Sequence, residues 1–165
     1  MRNRLKYIPN LILILILTSC EYWDSGHDII AFINDSDIAL DITSQLDYPD
    51  LDIGEKSILA FPEWSRRVAP HSGNTEALKY QSPNWEIRFR DDIRSGVLVI
   101  QILDSKIVDS LDWDTIRSGN MVLQQYFVTL NDLERLNWIL YYPPREIMKN
   151  IKMSPPYKEA KKIAK

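Results

Sequence analysis

Hydrophobic and polar residues alternate along much of the chain, and this alternation predicts a series of short β-strands. Turns rich in Asn, Asp, Gly and Pro separate the segments, which is typical of mainly-β domains. The turn at residues 34–37 is predicted to join the first two strands into a hairpin. The predicted strands are His27–Ile33, Ile38–Ile42, Ser57–Phe61, Arg66–Ala69, Trp85–Phe89, Val97–Leu103, Met121–Thr129 and Trp138–Tyr142.

Two segments instead have the pattern of short helices. Asp112–Gly119 is predicted to form one or two turns, with Gly119 as a left-handed stop. Residues 129–132 resemble a capping box, and leucines follow on one helical face. The whole pattern predicts a mainly-β fold, an immunoglobulin-like β-sandwich with one or two short helices. An α+β fold is the alternative.

The first twenty residues carry the most apolar pattern in the chain. In Leu11–Leu17 every position is aliphatic, so both faces of a strand there would be apolar. A transmembrane helix needs about 20 apolar residues, and this run is much shorter. Arg2, Arg4 and Lys6 precede it and small residues follow, which is the layout of a secretory signal peptide. A fully buried strand is the alternative.

The end of that segment adds a more specific motif. Leu17, Thr18, Ser19 and Cys20 resemble the lipobox of bacterial lipoproteins, an aliphatic residue and two small residues before an obligatory Cys. The resemblance implies that Cys20 receives lipid and that a peptidase cuts before it. An ordinary cleaved signal remains an alternative. Cys20 is the only cysteine, so the chain has no intramolecular disulfide.

Lipidation at Cys20 would divide the chain into four parts. Residues 1–19 are a cleaved lipoprotein signal peptide, 20–26 a lipidated tether, 27–144 a single β-rich domain and 145–165 a basic tail. Several acyl chains anchor a protein firmly without a membrane span. We therefore expect a bacterial cell-envelope location, at the outer membrane, on its periplasmic face or at the cell surface.

Charge is distributed unevenly along these parts. Loss of residues 1–19 changes the formal charge from −3 to −6. Residues 145–165 carry seven basic and two acidic residues, whereas residues 21–144 carry ten basic and 21 acidic ones. An acidic body argues against nonspecific nucleic-acid binding. The basic tail is predicted to be disordered, or alternatively to contact anionic headgroups.

The second half of the chain has a distinctive order of predicted elements. An apolar strand ends in Asp104, Trp113 begins a helical turn, and Tyr126 lies in the next strand. The Leu-rich capped helix Leu130–Leu136 and the strand from Asn137 to Pro143 complete the pattern. This order resembles an uncharacterised family of small lipoproteins and secreted proteins from Bacteroidetes-type bacteria. The resemblance implies an envelope location and a fold class, but no mechanism.

Candidate chemistry is sparse. His27 and His71 have no second ligand at metal-binding spacing, and solvent-facing positions are expected. Aspartates crowd two turns, 35–37 and 47–52, without the spacing of a calcium loop. No catalytic residue, metal site or cofactor is therefore predicted. Trp64, before Arg66, is the aromatic residue most suited to contact a ligand by stacking, although a core position is favoured.

These observations favour a non-enzymatic role. The leading hypothesis is a lipid-anchored interaction module that binds an envelope protein or a glycan. An envelope hydrolase using a carboxylate pair is the first alternative, and a concave pocket that holds two close carboxylates with shifted pKa values would favour it. A structural subunit of a larger envelope assembly is the second.

Overall fold

The computed structural model describes residues 26–53, 66–79 and 84–163, and in these ranges eight strands form two sheets. The five-stranded sheet has the order β3-β2-β5-β6-β8, and the three-stranded sheet has the order β4-β1-β7. The strands are β1 Ala31–Asn34, β2 Leu40–Gln45, β3 Arg67–Val68, β4 Ser72–Asn74, β5 Leu98–Asp104, β6 Gln124–Val128, β7 Ile139–Tyr142 and β8 Lys152–Ser154.

In the same described ranges, five short helices and one 3-10 helix lie between and after these strands. The arrangement is a sheet-rich α+β fold and is not clearly an immunoglobulin-like sandwich. Within the described ranges, none of the helices has the length and apolar character needed to cross a bilayer. The helices are α1 Trp85–Asp91, α2 Ser105–Ser110, α3 Trp113–Ser118, α4 Leu130–Arg135 and α5 Tyr157–Ile163, and the 3-10 helix is Glu146–Met148.

Strand β5 is the centre of the larger sheet, as its apolar sequence predicts. It pairs antiparallel with β2 on one side and β6 on the other. Ile100 and Ile102 face the main core, and Leu103 belongs to a second, smaller cluster with Val108 and Ile116. Both faces of β5 are therefore covered, which explains why its sequence is almost continuously apolar.

The predicted hairpin between the first two strands is wrong. β1 pairs antiparallel with β4 and parallel with β7, whereas β2 belongs to the other sheet. The buried Asn34 side chain redirects the chain, because its amide donates to the carbonyl oxygens of Ile38, Val68 and Ala69 at 2.7, 3.2 and 3.1 Å. These bonds hold the turn across the junction between the two sheets.

The predicted strand at Trp85–Phe89 is also wrong, because these residues form helix α1. Asn84 is the N-cap, and its side-chain oxygen accepts a hydrogen bond from the Ile87 N–H at 3.0 Å. Trp85 and Phe89 lie four residues apart, so they share one face of the helix and both are buried. These apolar positions fit the two-residue period of a strand as well as the spacing of one helical face. The N-cap Asn84 favours the helix.

The other helix predictions are largely confirmed. Asp112 caps α3, and Thr129 and Asp132 form a complete capping box at the start of α4. Gly119 does not adopt the predicted left-handed conformation, since its φ is −81° and Asn120 takes a φ of 45° instead. Helix α2 was not predicted. It begins at the end of β5, where the Asp104 side chain accepts from the Lys106 N–H at 2.8 Å.

The fold continues through most of the segment predicted to be a basic tail. Strand β8 pairs antiparallel with β6, with Met153 opposite Tyr126, and α5 follows. Met153, Met148 and Ile151 are buried in the main core. Apolar residues at intervals within the basic sequence therefore hold this segment on the domain. The predicted strand Ser57–Phe61 lies outside the described residues.

One tyrosine joins the two sheets. The hydroxyl of Tyr126 on β6 donates to the main-chain oxygen of Tyr141 on β7 at 2.7 Å. Burial raises the pKa of Tyr126 well above its ordinary value, so the hydroxyl keeps its proton and remains a donor. This bond fixes the three-stranded sheet against the centre of the larger one.

Candidate functional site

A wide concave surface lies in the C-terminal segment of the described chain. We call it the C-terminal cleft. It has a volume of about 740 Å³ and lies between the 3-10 helix, β8 and α5. Three lysines and two glutamates line it together with Asn150 and Tyr157. The charged lining residues are Lys149, Lys152, Lys158, Glu146 and Glu159.

A chain of polar contacts crosses one side of this cleft. Lys149 Nζ lies 3.1 Å from Glu146 Oε1, and the Tyr157 hydroxyl donates to Glu146 Oε2 at 3.0 Å. Lys161 Nζ in turn donates to the Tyr157 oxygen at 3.3 Å. The hydrogen bonds from Lys149 and Tyr157 hold the pKa of Glu146 below its usual range. This glutamate is therefore an ionised anchor between the 3-10 helix and α5.

Lys152 reaches the cleft from β8 and also contacts two aromatic side chains. Its ammonium donates to the Tyr48 hydroxyl at 2.9 Å and lies 5.1 Å from the centre of the Phe127 ring. Tyr48 and Phe127 meet edge to face at 5.7 Å. The aromatic rings attract the cation without neutralising it. Within the described residues, the Lys152 ammonium therefore contacts a phenol oxygen and aromatic rings at the edge strand of the sheet.

A second, smaller cleft of about 380 Å³ brings two carboxylates together. Asp52 and Asp114 line it with Ile53, Arg117 and Ser118. Arg117 donates through Nε to the main-chain oxygen of Ile53 at 2.8 Å, which ties α3 to the end of the 46–53 loop. We call this surface the acidic cleft. Asp52 and Asp114 therefore both belong to the lining of one depression.

The two histidines do not approach each other, and each has a carboxylate partner. His71 Nε2 lies 2.8 Å from Asp37 Oδ1 in an exposed loop, as its sequence position predicts. His27 is half-exposed, and its Nδ1 lies 2.7 Å from Glu86 Oε1. Its ring also stacks on Trp138 at 4.2 Å. We call His27, Glu86 and Trp138 the N-terminal clasp.

The clasp depends on an uncommon backbone conformation. Asn137 and Trp138 have φ values of 50° and 60°, and a left-handed conformation is rare for a bulky side chain such as Trp. This turn leads from α4 into β7 and directs the indole onto His27. The His27 N–H also donates to Glu86 Oε2 at 2.8 Å. The first described residues are therefore held firmly against α1 and β7.

The aspartates that crowd two turns have structural partners. Asp35 forms two hydrogen bonds with Arg145, at 2.8 and 3.0 Å, which join the ends of β1 and β7. Asp50 accepts from the Asp52 N–H at 2.9 Å within its own loop. In the ranges that the structure describes, no group of three or more His, Cys, Asp or Glu side chains is arranged to hold a metal ion.

The site residues predicted from the sequence lie outside the described residues. These are Leu17, Thr18, Ser19 and Cys20 of the lipobox and Trp64. The lysines of the C-terminal cleft were not singled out individually, although the basic composition of residues 145–165 was the available signal. Alternation alone could not show which of these lysines the fold brings around one depression.

Comparison with known proteins leaves the chain without an assigned relative. Protein-family models, curated proteins and solved structures gave no significant match.

Proposed function

We propose that the chain is a lipid-anchored cell-envelope protein whose folded domain acts as a non-catalytic interaction module for an envelope protein or glycan. The observation that carries the proposal is the sequence Leu17-Thr18-Ser19-Cys20 after a basic start and an apolar run. A lipid at Cys20 holds the protein on a membrane without a spanning segment. The outer membrane is the proposed location.

The start of the folded domain supports this arrangement. Five residues lie between Cys20 and Gly26, so the chain can extend at most about 20 Å from one to the other. The N-terminal clasp fixes the next residue, His27, to α1 and β7. A lipid at Cys20 would therefore hold a well-ordered part of the domain close to the membrane surface, with its clefts available to partners in the envelope.

Replacement of Cys20 by Ala tests the anchor. We expect complete loss of incorporation of an alkyne-labelled fatty acid, together with release of the protein from the membrane fraction, because the sulfur atom that receives the lipid is absent. Ser19→Ala is the matched control, since it keeps a small residue in the lipobox and should be labelled normally. Fatty-acid labelling of the Cys20→Ala protein would refute the proposal.

The acidic cleft is a specific observation in favour of the hydrolase alternative. Glycoside hydrolysis uses two carboxylates, one as acid and one as base or nucleophile. If Asp52 and Asp114 act in this way, Asp114→Asn should lower turnover of a chromogenic glycoside by about 10²-fold or more. Asp109→Asn, outside this cleft, should leave turnover unchanged. Absence of turnover by the unmodified protein across a panel of glycosides would remove the alternative.

A further inference from the structure

We infer that the C-terminal cleft binds a phosphate group, and that the source best suited to it is the headgroup of an anionic phospholipid in the membrane that carries the anchor. The choice of a lipid source depends on the proposed function, whereas phosphate binding by the cleft does not. Three features support phosphate binding: the charge balance of the cleft, the apolar residues in its lining and the uneven distribution of charge along the chain.

The positive charges of the cleft are only partly neutralised. Glu146 is held by Lys149 at 3.1 Å and by the Tyr157 hydroxyl. Lys152 contacts a phenol oxygen and aromatic faces, and within the described residues Lys158 forms no ion pair. Glu159 is the remaining carboxylate. Three lysines and two glutamates line the cleft, so an anion bound there would meet a net positive charge and gain charge-assisted hydrogen bonds from the lysines.

The lining of the cleft also suits an amphiphilic anion. The exposed Pro156 and the part-buried Tyr157 ring supply apolar surface there, whereas Ile151 and Met153 line the cleft but are only 4% and 8% exposed. A headgroup bound by the lysines would thus have apolar atoms within reach of its glycerol and first methylenes. Next to the cleft, the Ile147 side chain is 49% exposed, which is high for a large aliphatic residue and suits contact with a lipid interface.

The distribution of charge along the chain favours the same source. Residues 145–165 have a net charge of +5 and residues 21–144 a net charge of −11. A molecule with this asymmetry turns its basic side toward an anionic surface and its acidic side away from it. Each lysine near an anionic bilayer contributes about 1 kcal/mol, so the cleft and α5 together would orient the domain on the membrane.

Residue-resolved labelling of lysines tests this inference on the full chain purified in neutral detergent micelles. We expect phosphatidylglycerol added to the micelles to slow amine labelling of Lys149, Lys152 and Lys158 several-fold, whereas phosphatidylcholine does not. Lys79 and Lys106, both outside the cleft, are internal controls and should be unaffected. Inorganic phosphate forms a further arm. Protection by phosphate without lipid would support the site and identify a free phosphate compound as its ligand.

A double variant distinguishes the cleft from general attraction to anionic micelles. Lys152→Gln with Lys158→Gln should weaken the lipid-dependent protection of Lys149 by about fivefold for each lysine removed. Lys79→Gln with Lys106→Gln removes the same charge elsewhere and should leave it unchanged. Equal labelling in both lipids and in phosphate, or protection that persists in the double cleft variant, would overturn the inference. The labelling experiment is done in micelles and does not need the lipid anchor. Its outcome is therefore independent of whether the Cys20→Ala experiment supports lipidation.

Discussion

Replacement of Asp41 by Asn is expected to lower the free energy of unfolding by about 3–5 kcal/mol. Asp41 lies on β2 with a fully buried side chain, between Arg66 Nε at 2.9 Å and Arg67 Nη2 at 2.8 Å. The Arg66 contact is electrostatic rather than a well-aligned hydrogen bond. Loss of this carboxylate would leave two arginines without their buried counter-charge. Urea denaturation of both proteins measures the difference.

Asp109 provides the matched control for this prediction. It also binds Arg67, at 2.7 Å, but its side chain is 57% exposed. Asp109→Asn should therefore cost no more than about 1 kcal/mol, because water and salt screen an exposed ion pair. Burial lowers the pKa of Arg67, yet the hydrogen bonds that Arg67 donates to Asp109 and Asp41 outweigh this effect and raise the pKa. Equal losses in the two variants would show that Asp41 is not the centre of the cluster.

Replacement of Trp85 by Ala is expected to cost about 3–5 kcal/mol of the free energy of unfolding. The side chain is fully buried at the first position of α1, and its indole N–H donates to the main-chain oxygen of Leu78 at 3.1 Å. The Trp85 N–H also donates to the His27 oxygen at 2.9 Å. A cavity at this position would loosen the contacts among three separate segments. Thermal denaturation followed by near-ultraviolet circular dichroism measures the effect.

Trp113 is the control, because it occupies the same first position in helix α3. It is only half-buried against the smaller cluster. Trp113→Ala should therefore be clearly less destabilising than Trp85→Ala. The variant Trp85→Phe keeps most of the apolar volume and loses the indole hydrogen bond, so it should fall between the two. If Trp113→Ala lowers the free energy of unfolding as much as Trp85→Ala does, the burial of Trp85 in the main core is not what stabilises the fold.

Residue patterns within short segments predicted some elements correctly. The continuous apolar run of β5 predicted a strand, and the Thr129–Asp132 capping box predicted the start of a helix. The pattern around Trp85 was ambiguous. Apolar residues at every second position fit a strand, but Trp85 and Phe89 are also four positions apart, which fits one face of a helix. Strand pairing could not be predicted, because the hydrogen bonds of Asn34 that separate β1 from β2 join segments more than thirty residues apart.

The candidate sites show the same division. The lipobox is a contiguous motif and needs no fold to be recognised. The residues that line the C-terminal cleft all lie between positions 146 and 159, and the pairing of β8 with β6 holds this segment on the domain. The acidic cleft joins Asp52 to Asp114 through packing of α3. Composition located the basic charge in the sequence, but the sheet determines which charges meet.

The parallel pairing of β1 with β7 has a consequence for the order of folding. Ala31 lies opposite Ile139, so these partners are 108 positions apart along the chain. β1 cannot complete its sheet until nearly all of the domain has left the ribosome, and contacts between such distant residues form slowly because a long loop must close first. Until β7 is made, β1 has only β4 of its two sheet neighbours, and the edge of β1 that pairs with β7 stays unpaired.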